Sequence, residues 1–112
     1  MKVSLSSLDG ETLVVEIEKG DAGQVVDMMD EQGNGYAVFG DDCPVPMAVI
    51  DGRLRGESWF TENHLLAIEA HEVGHIRTSS TEEIEAEREG IRLLQESGHP
   101  DAAEILIERG II

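Results

Sequence analysis

Apolar residues alternate with polar ones in the first half of the chain and recur every three to four residues in the second, with the change near residue 60. In TLVVEIEKG (12–20), Leu13, Val15 and Ile17 fall on one face and Val14, Glu16 and Glu18 on the other. That period of two predicts a half-buried strand. Asp9-Gly10 just before it is a hairpin turn signal, which makes KVSLSSL (2–8) its partner strand. AGQVVDMMDEQ (22–32) is apolar at Val25, Val26, Met28 and Met29 and is followed by Gly33, as a short helix would be. GYAVFG (35–40) and PMAVIDGRLRGESWF (46–60) read as further strands, with Asp51-Gly52 turning a second hairpin. Pro44 and Pro46 make DDCPVP (41–46) an irregular loop or a sheet edge.

Beyond residue 60 the period is helical. Thr61 or Asn63 caps a helix running to about Thr78, with Leu65, Ile68, Glu72 and Ile76 stepping round it. A second helix runs from near Ser80 to Ser97, with Ile84, Ile91 and Leu94 as its apolar line. Pro100 suits the first turn of a third, which ends at Gly110. Strands first and helices after predict an α+β fold. One domain spans 1–112, a strand-rich part at 1–60 and a helical part at 61–112. A mostly antiparallel sheet would pack on the helices.

Composition narrows the partners. The chain has 112 residues, a formal net charge of −16 and aromatic side chains at 4%. So acidic a surface opposes nucleic acid, which needs cations against its phosphates, and anionic membranes. Most of the acidic first half reads as solvated surface. An acidic protein can also bind a basic partner, as an adaptor, an inhibitor or a mimic of DNA, with or without a metal. The single cysteine, Cys43, excludes an internal disulfide framework and reads as a lone buried thiol. No apolar run nears the ~18 residues of a membrane span, and no signal peptide is visible. These features predict a cytoplasmic protein.

Chemistry concentrates in AHEVGHI (70–76). His71 and His75 lie four apart, so both project from one helix face and can reach one ion. Glu72 stands beside the first of them. This is the His-Glu-x-x-His arrangement in which two imidazoles hold Zn2+ and the glutamate serves as base. A catalytic zinc wants a third protein ligand and an open position for water, whose pKa it brings to about 7. If a tight turn folds the second helix back, Glu83 lies across from His75 and Glu87 nearer His71. Glu83 is then the third ligand, with Glu82 and Glu87 as alternatives, and Glu87 is placed to accept a ligand histidine N–H. STEE (80–83) can instead be read as a capping box, with Ser80 at N-cap and the Glu83 carboxylate occupied at N3.

The segment HEVGH (71–75) followed by EIEAEREGIRLL (83–94) resembles the gluzincin zinc metallopeptidases. The nearest pattern is the group of CAAX-prenyl and heat-shock membrane peptidases. There His-Glu-x-x-His is followed by ExEADxxGxxLL and a Gly-Tyr-Asp-Pro turn, in whose place stands SGHPDAAEIL (97–106). The resemblance covers residues 64–107. It implies a small zincin-like domain with an active-site helix, a glutamate helix and one further helix. It also implies His71, His75 and Glu83 as zinc ligands, Glu72 as base, and Glu87, in place of the family's Asp, supporting a histidine. The implied activity is peptide-bond hydrolysis in a peptide or protein substrate, without the family's membrane helices. In that fold an edge strand binds substrate backbone, and CPVPMAVI (43–50) is the segment expected to supply it. An oxyanion donor is also needed. His99 is the candidate named first, with His64, Arg77 and Tyr36 as others. Cys43 as an inhibitory thiolate on the zinc is the remaining option for that residue.

Overall fold

The computed structural model describes residues 1–109. Four strands and four α-helices follow in the order β1 (Lys2–Leu5), β2 (Leu13–Ile17), α1 (Gln24–Gln32), β3 (Gly35–Val38), β4 (Met47–Asp51), α2 (Glu62–Thr78), α3 (Glu83–Glu96) and α4 (Pro100–Arg109). The fold is α+β, as the order of periodicities predicts. The Gly110 expected to end the last helix lies outside the described residues.

The β1–β2 hairpin forms for a local reason. Ser6 N–H donates to the Thr12 carbonyl at 2.7 Å, and Gly10 turns the chain at φ 71°. Asp9 Oδ1 accepts the N–H groups of Glu11 and Thr12. The expected second hairpin at Asp51-Gly52 does not form. Gly52 lacks the positive φ that a tight primed turn requires. Asp51 Oδ1 instead accepts Arg53 N–H and starts a 3-10 turn over Gly52–Gly56. β4 pairs with β3 through the 39–46 loop.

The sheet order is β1-β2-β4-β3. β1 and β2 are antiparallel, as are β3 and β4, while β2 and β4 run parallel in the middle. Two expectations change as a result. β2 is not half-buried: Val14, Val15, Glu16 and Ile17 are all buried, because the sheet is covered on both faces. And β4, which contains the second half of CPVPMAVI, is central; the exposed edge on this side is β3. On one face Val14, Ala48 and Ile50 meet Leu65, Ala67, Ala70 and Val73 of α2, with Leu94 and Leu106 behind them. On the other, Val15, Ile17, Val49 and Tyr36 pack on Val26 and Met29 of α1.

Thr61 caps α2, its hydroxyl accepting His64 N–H while the His64 ring accepts Thr61 N–H. The helix stops where Ser79 takes a left-handed φ of 51° and the Ser80 N–H reaches back to the His75 carbonyl. α3 returns antiparallel and close. A Cβ on Gly74 would meet the Ala86 carbonyl, and one on Gly90 would lie 2.9 Å from the Ala70 carbonyl oxygen. Two glycines thus let backbones touch where other residues would hold them apart. Of the expected apolar line on α3, Leu94 is fully buried and Ile91 partly, but Ile84 is exposed; Ala86, Gly90 and Leu93 complete the buried face instead.

Candidate metal centre

The α2–α3 contact brings three side chains together. Glu83 Oε2 lies 2.7 Å from His71 Nε2, and Glu83 Oε1 lies 3.2 Å from His75 Nε2. One ligand atom from each of the three residues falls within 4.8 Å of the others. Around an ion with bonds of 2.0–2.1 Å, adjacent tetrahedral ligands stand about 3.3 Å apart. The observed spacings therefore suit a metal ion. Glu83 is free for this role because Glu82, not Ser80, occupies the N-cap position of α3, and no side chain caps that helix. The Ser80 hydroxyl accepts Glu82 N–H instead. The capping-box reading of STEE is therefore not the one the chain adopts.

One of the two imidazoles is held by a hydrogen bond from behind, and the other has an acid behind it. His75 Nδ1 lies 2.8 Å from the Ser80 carbonyl, which accepts only from a protonated ring nitrogen. That fixes the tautomer and leaves Nε2 as a lone-pair donor facing Glu83. His71 Nδ1 faces Glu87 Oε2 at 3.6 Å. That ring nitrogen and both Glu87 oxygens are buried without a hydrogen-bond partner. Glu87 is 1% exposed, so this is a buried acid placed behind His71 with no hydrogen bond between them. Burial lowers the His71 pKa, against the opposing pull of Glu83, which favours the neutral ring a metal needs.

Glu72 is buried on the same side of α2, against β3. A Cβ on Gly35 would lie 2.8 Å from Ile68 Cγ2 and 3.3 Å from Glu72 Cγ, so only glycine there lets the helix press on the strand. Burial, then the negative charges of Glu83 and Glu87, push the Glu72 carboxyl up to about 8. Burial and Glu83 push Glu87 up to about 7. A cation at the three-residue cluster would relieve both.

The cluster opens into a cleft of about 530 Å³ lined also by Met28, Tyr36, Phe39, Ile68 and Thr81. The Phe39 ring stacks on His75 with centroids 6.2 Å apart and planes 20° from parallel.

The expected oxyanion donors mostly lie elsewhere. His99 is at the far end of α3, 14 residues of helix or about 20 Å from Glu83, and does not line the cleft. His64 is spent on the α2 cap, and Arg77 is paired with Asp9 and Glu89. Tyr36 does line the cleft, but its hydroxyl donates to the Val25 carbonyl at 3.3 Å. Cys43 is half-buried rather than buried, its thiol on the Val45 carbonyl, and is not part of the cleft. The sequence reading missed Phe39, Met28 and the Ser80 carbonyl. Phe39, one of four aromatic residues in the chain, carried a weak signal; a main-chain carbonyl carries none.

No family model, no curated protein and no solved structure matches the chain. Among the described residues no helix is long and apolar enough to cross a membrane.

Proposed function

We propose that this protein is a minimal zinc-dependent peptidase of the gluzincin kind, with His71, His75 and Glu83 as ligands and Glu72 as general base. The observation that carries the reading is the single Glu83 carboxylate set across both histidine Nε2 atoms, 2.7 and 3.2 Å away. Two imidazoles and one carboxylate are a donor set that suits zinc and leaves a coordination position open. Bound there, zinc supplies Lewis acidity toward a carbonyl and a lowered pKa for water.

The chain's own groups do the rest. The Ser80 carbonyl holds the His75 imidazole in its working orientation, and Glu87 stands behind His71 as the acceptor its Nδ1–H would take. Glu72 borders the cleft between β3 and the ligand histidines. Its carboxylate takes a proton from the attacking water and passes it to the departing amine. Ile68 and the packed β3 strand keep bulk water from its inner side.

The first test is metal content of the purified protein after zinc is supplied, beside His71→Ala and Glu83→Ala. About one zinc in the parent, lost from both variants, supports the three-ligand site. Zinc retained by Glu83→Ala would remove the third ligand from the reading. No zinc in the parent would sink it and favour a metal-free acidic binding protein.

A further inference from the structure

One end of the sheet is left bare on the α1 face. The register sets Leu5, Leu13, Met47 and Val38 side by side, one from each strand. This row is on the α1 face, because Leu13 alternates with Val14 of the α2 side and shares its side with Val15 and Ile17. The next row, Val3, Val15, Val49 and Tyr36, is buried except at Val3. The nine residues of α1 sit mainly over β3 and β4. Val3 and Leu5 therefore stay 59% and 60% exposed, and Leu13, Met47 and Val38 are only half-buried. The result is an apolar stripe across all four strands. Its surroundings are acidic. From Gly20 to Gly52 the chain has seven Asp or Glu and no Lys, Arg or His; from Val3 to Glu18 it has four and none. The loops that leave the sheet at this end carry exposed Glu11, Asp41 and Asp42. Lys2 is in register with Glu16 and so belongs to the α2 face, and the terminal amine is held by Glu18 and Asp21.

We infer that this stripe binds a basic amphipathic helix of a partner protein, its apolar side on Leu5, Leu13, Met47 and Val38 and its Lys or Arg side chains toward the acidic loops. The dimensions fit. Three inter-strand spacings make about 14 Å, the length of about ten residues of helix. Such a helix would lie beside α1 on the same sheet face and repeat the kind of packing that α1 already makes. Charge chooses the occupant. A second copy of the chain would bring two acidic rims together in a protein of formal net charge −16. A cationic helix gains apolar burial and complementary charge at once. The stripe is on the opposite face of the sheet from α2, so the inference goes beyond the peptidase reading and does not rest on it.

The test is a calorimetric titration of the full chain, with and without zinc, using two acetylated Leu-Lys peptides of equal composition. One, of about 14 residues, carries its leucines on one helical face; the other is scrambled so that they scatter. The amphipathic peptide should bind about tenfold tighter than the scrambled one or more, become helical by circular dichroism on binding, and weaken with added salt. Val3→Ser with Leu5→Ser should remove that advantage, and so should Leu5→Lys, which adds a repulsive charge to the stripe. Both sites are exposed, and thermal unfolding checks that each variant folds. Ile107→Ser, an exposed apolar residue on α4, should change nothing. No binding, equal affinity for the two peptides, or an advantage that survives in both Leu5 variants overturns the proposal. So does an equal loss in Ile107→Ser. A bound peptide that turns extended instead of helical overturns the helix. A parent that sediments as a dimer, dissolved by both Leu5 variants, overturns the basic partner in favour of a second copy.

Discussion

Helix α2 carries a polar cluster on each of two sides, and the two are finished differently. Toward the β1–β2 hairpin, charges meet partners. Ser6 donates to Glu69 at 2.6 Å, Arg77 reaches Asp9 at 3.3 Å and Glu89 at 3.0 Å, and the Thr12 hydroxyl donates to Asp9 at 2.6 Å. Toward β3 and α3, Glu87 is buried with neither oxygen paired, and Glu72 is buried beside two further carboxylates. Leaving a buried polar group without a partner costs about 1–3 kcal/mol, and more when it is charged. The chain evidently has the means to satisfy such groups, since it does so on the other side of the same helix. A cost accepted in one place and avoided in the other falls beside the three residues that could hold a cation.

The sharpest way to break this comparison is Glu72→Gln. If the β3 side is a working peptidase site, hydrolysis of an unfolded protein substrate should fall by roughly 10²–10⁴, with zinc content unchanged. A variant that keeps its rate would leave the buried carboxyl without a catalytic part.

Gly74→Ala comes next. The new Cβ would meet the Ala86 carbonyl, so α2 and α3 must part and carry Glu83 from the histidines. Overpacking of this kind costs about 1–3 kcal/mol, and zinc affinity should drop roughly tenfold or more. Thermal unfolding and a zinc titration read the two effects separately; unchanged affinity would mean that the helix spacing is not what places Glu83.

The acid side also predicts a pH dependence for the metal-free protein. Glu72 and Glu87 are both raised on folding, to about 8 and about 7. The native state therefore holds protons that the unfolded chain has released above pH ~4.5. Stability is full below that pH and drains as pH rises through 7 and 8. Denaturant midpoints from pH 5 to 8 should fall, and Glu87→Gln should flatten the slope. Zinc should flatten it too. A flat profile in the metal-free parent would show that these carboxyls ionise freely.

The smallest effect belongs to Asp9 on the paired side, whose sign is opposite, although burial raises Glu69 nearby. Burial alone would raise Asp9, but hydrogen bonds from Thr12, the Glu11 backbone and Arg77 win and hold its carboxyl below the usual range. Its contribution is present above the unfolded pKa, near 3.9, and lost as pH falls through the lower folded value. Asp9→Asn should cost about 1–2 kcal/mol near neutral pH and leave zinc content alone. A change in metal binding would mean that the two sides of α2 are coupled.

Much of this architecture could be read from local patterns because its determinants are local. The Asp9-Gly10 turn, the Thr61 cap and the i, i+4 pair of His71 and His75 each involve residues within a few positions of one another. The strand order could not be read that way. β4 inserts between β2 and β3, and nothing in MAVID distinguishes a central strand from the edge that CPVPMAVI was expected to form. Asp51-Gly52 misled because its turn chemistry was right and its backbone conformation was not. Glu83 stood between two local readings, cap and ligand, and the cap reading failed because α3 begins at Glu83 rather than two residues earlier. His99 failed for the plainest reason: proximity in a motif is measured along the chain, and a helix spends that distance travelling away.

The three cluster residues, His71 to Glu83, span only 13 positions, whereas the cleft beside them needs α1 and β3 from the other half of the chain. The two therefore differ in how far along the chain their contacts reach. Closing a loop this short takes tens of nanoseconds, while pairing β4 between two earlier strands is a search over long separations. If a metal binds there, a hairpin this local would keep some affinity for it in the unfolded chain, and added zinc would raise the melting temperature less than its binding constant for the native protein suggests.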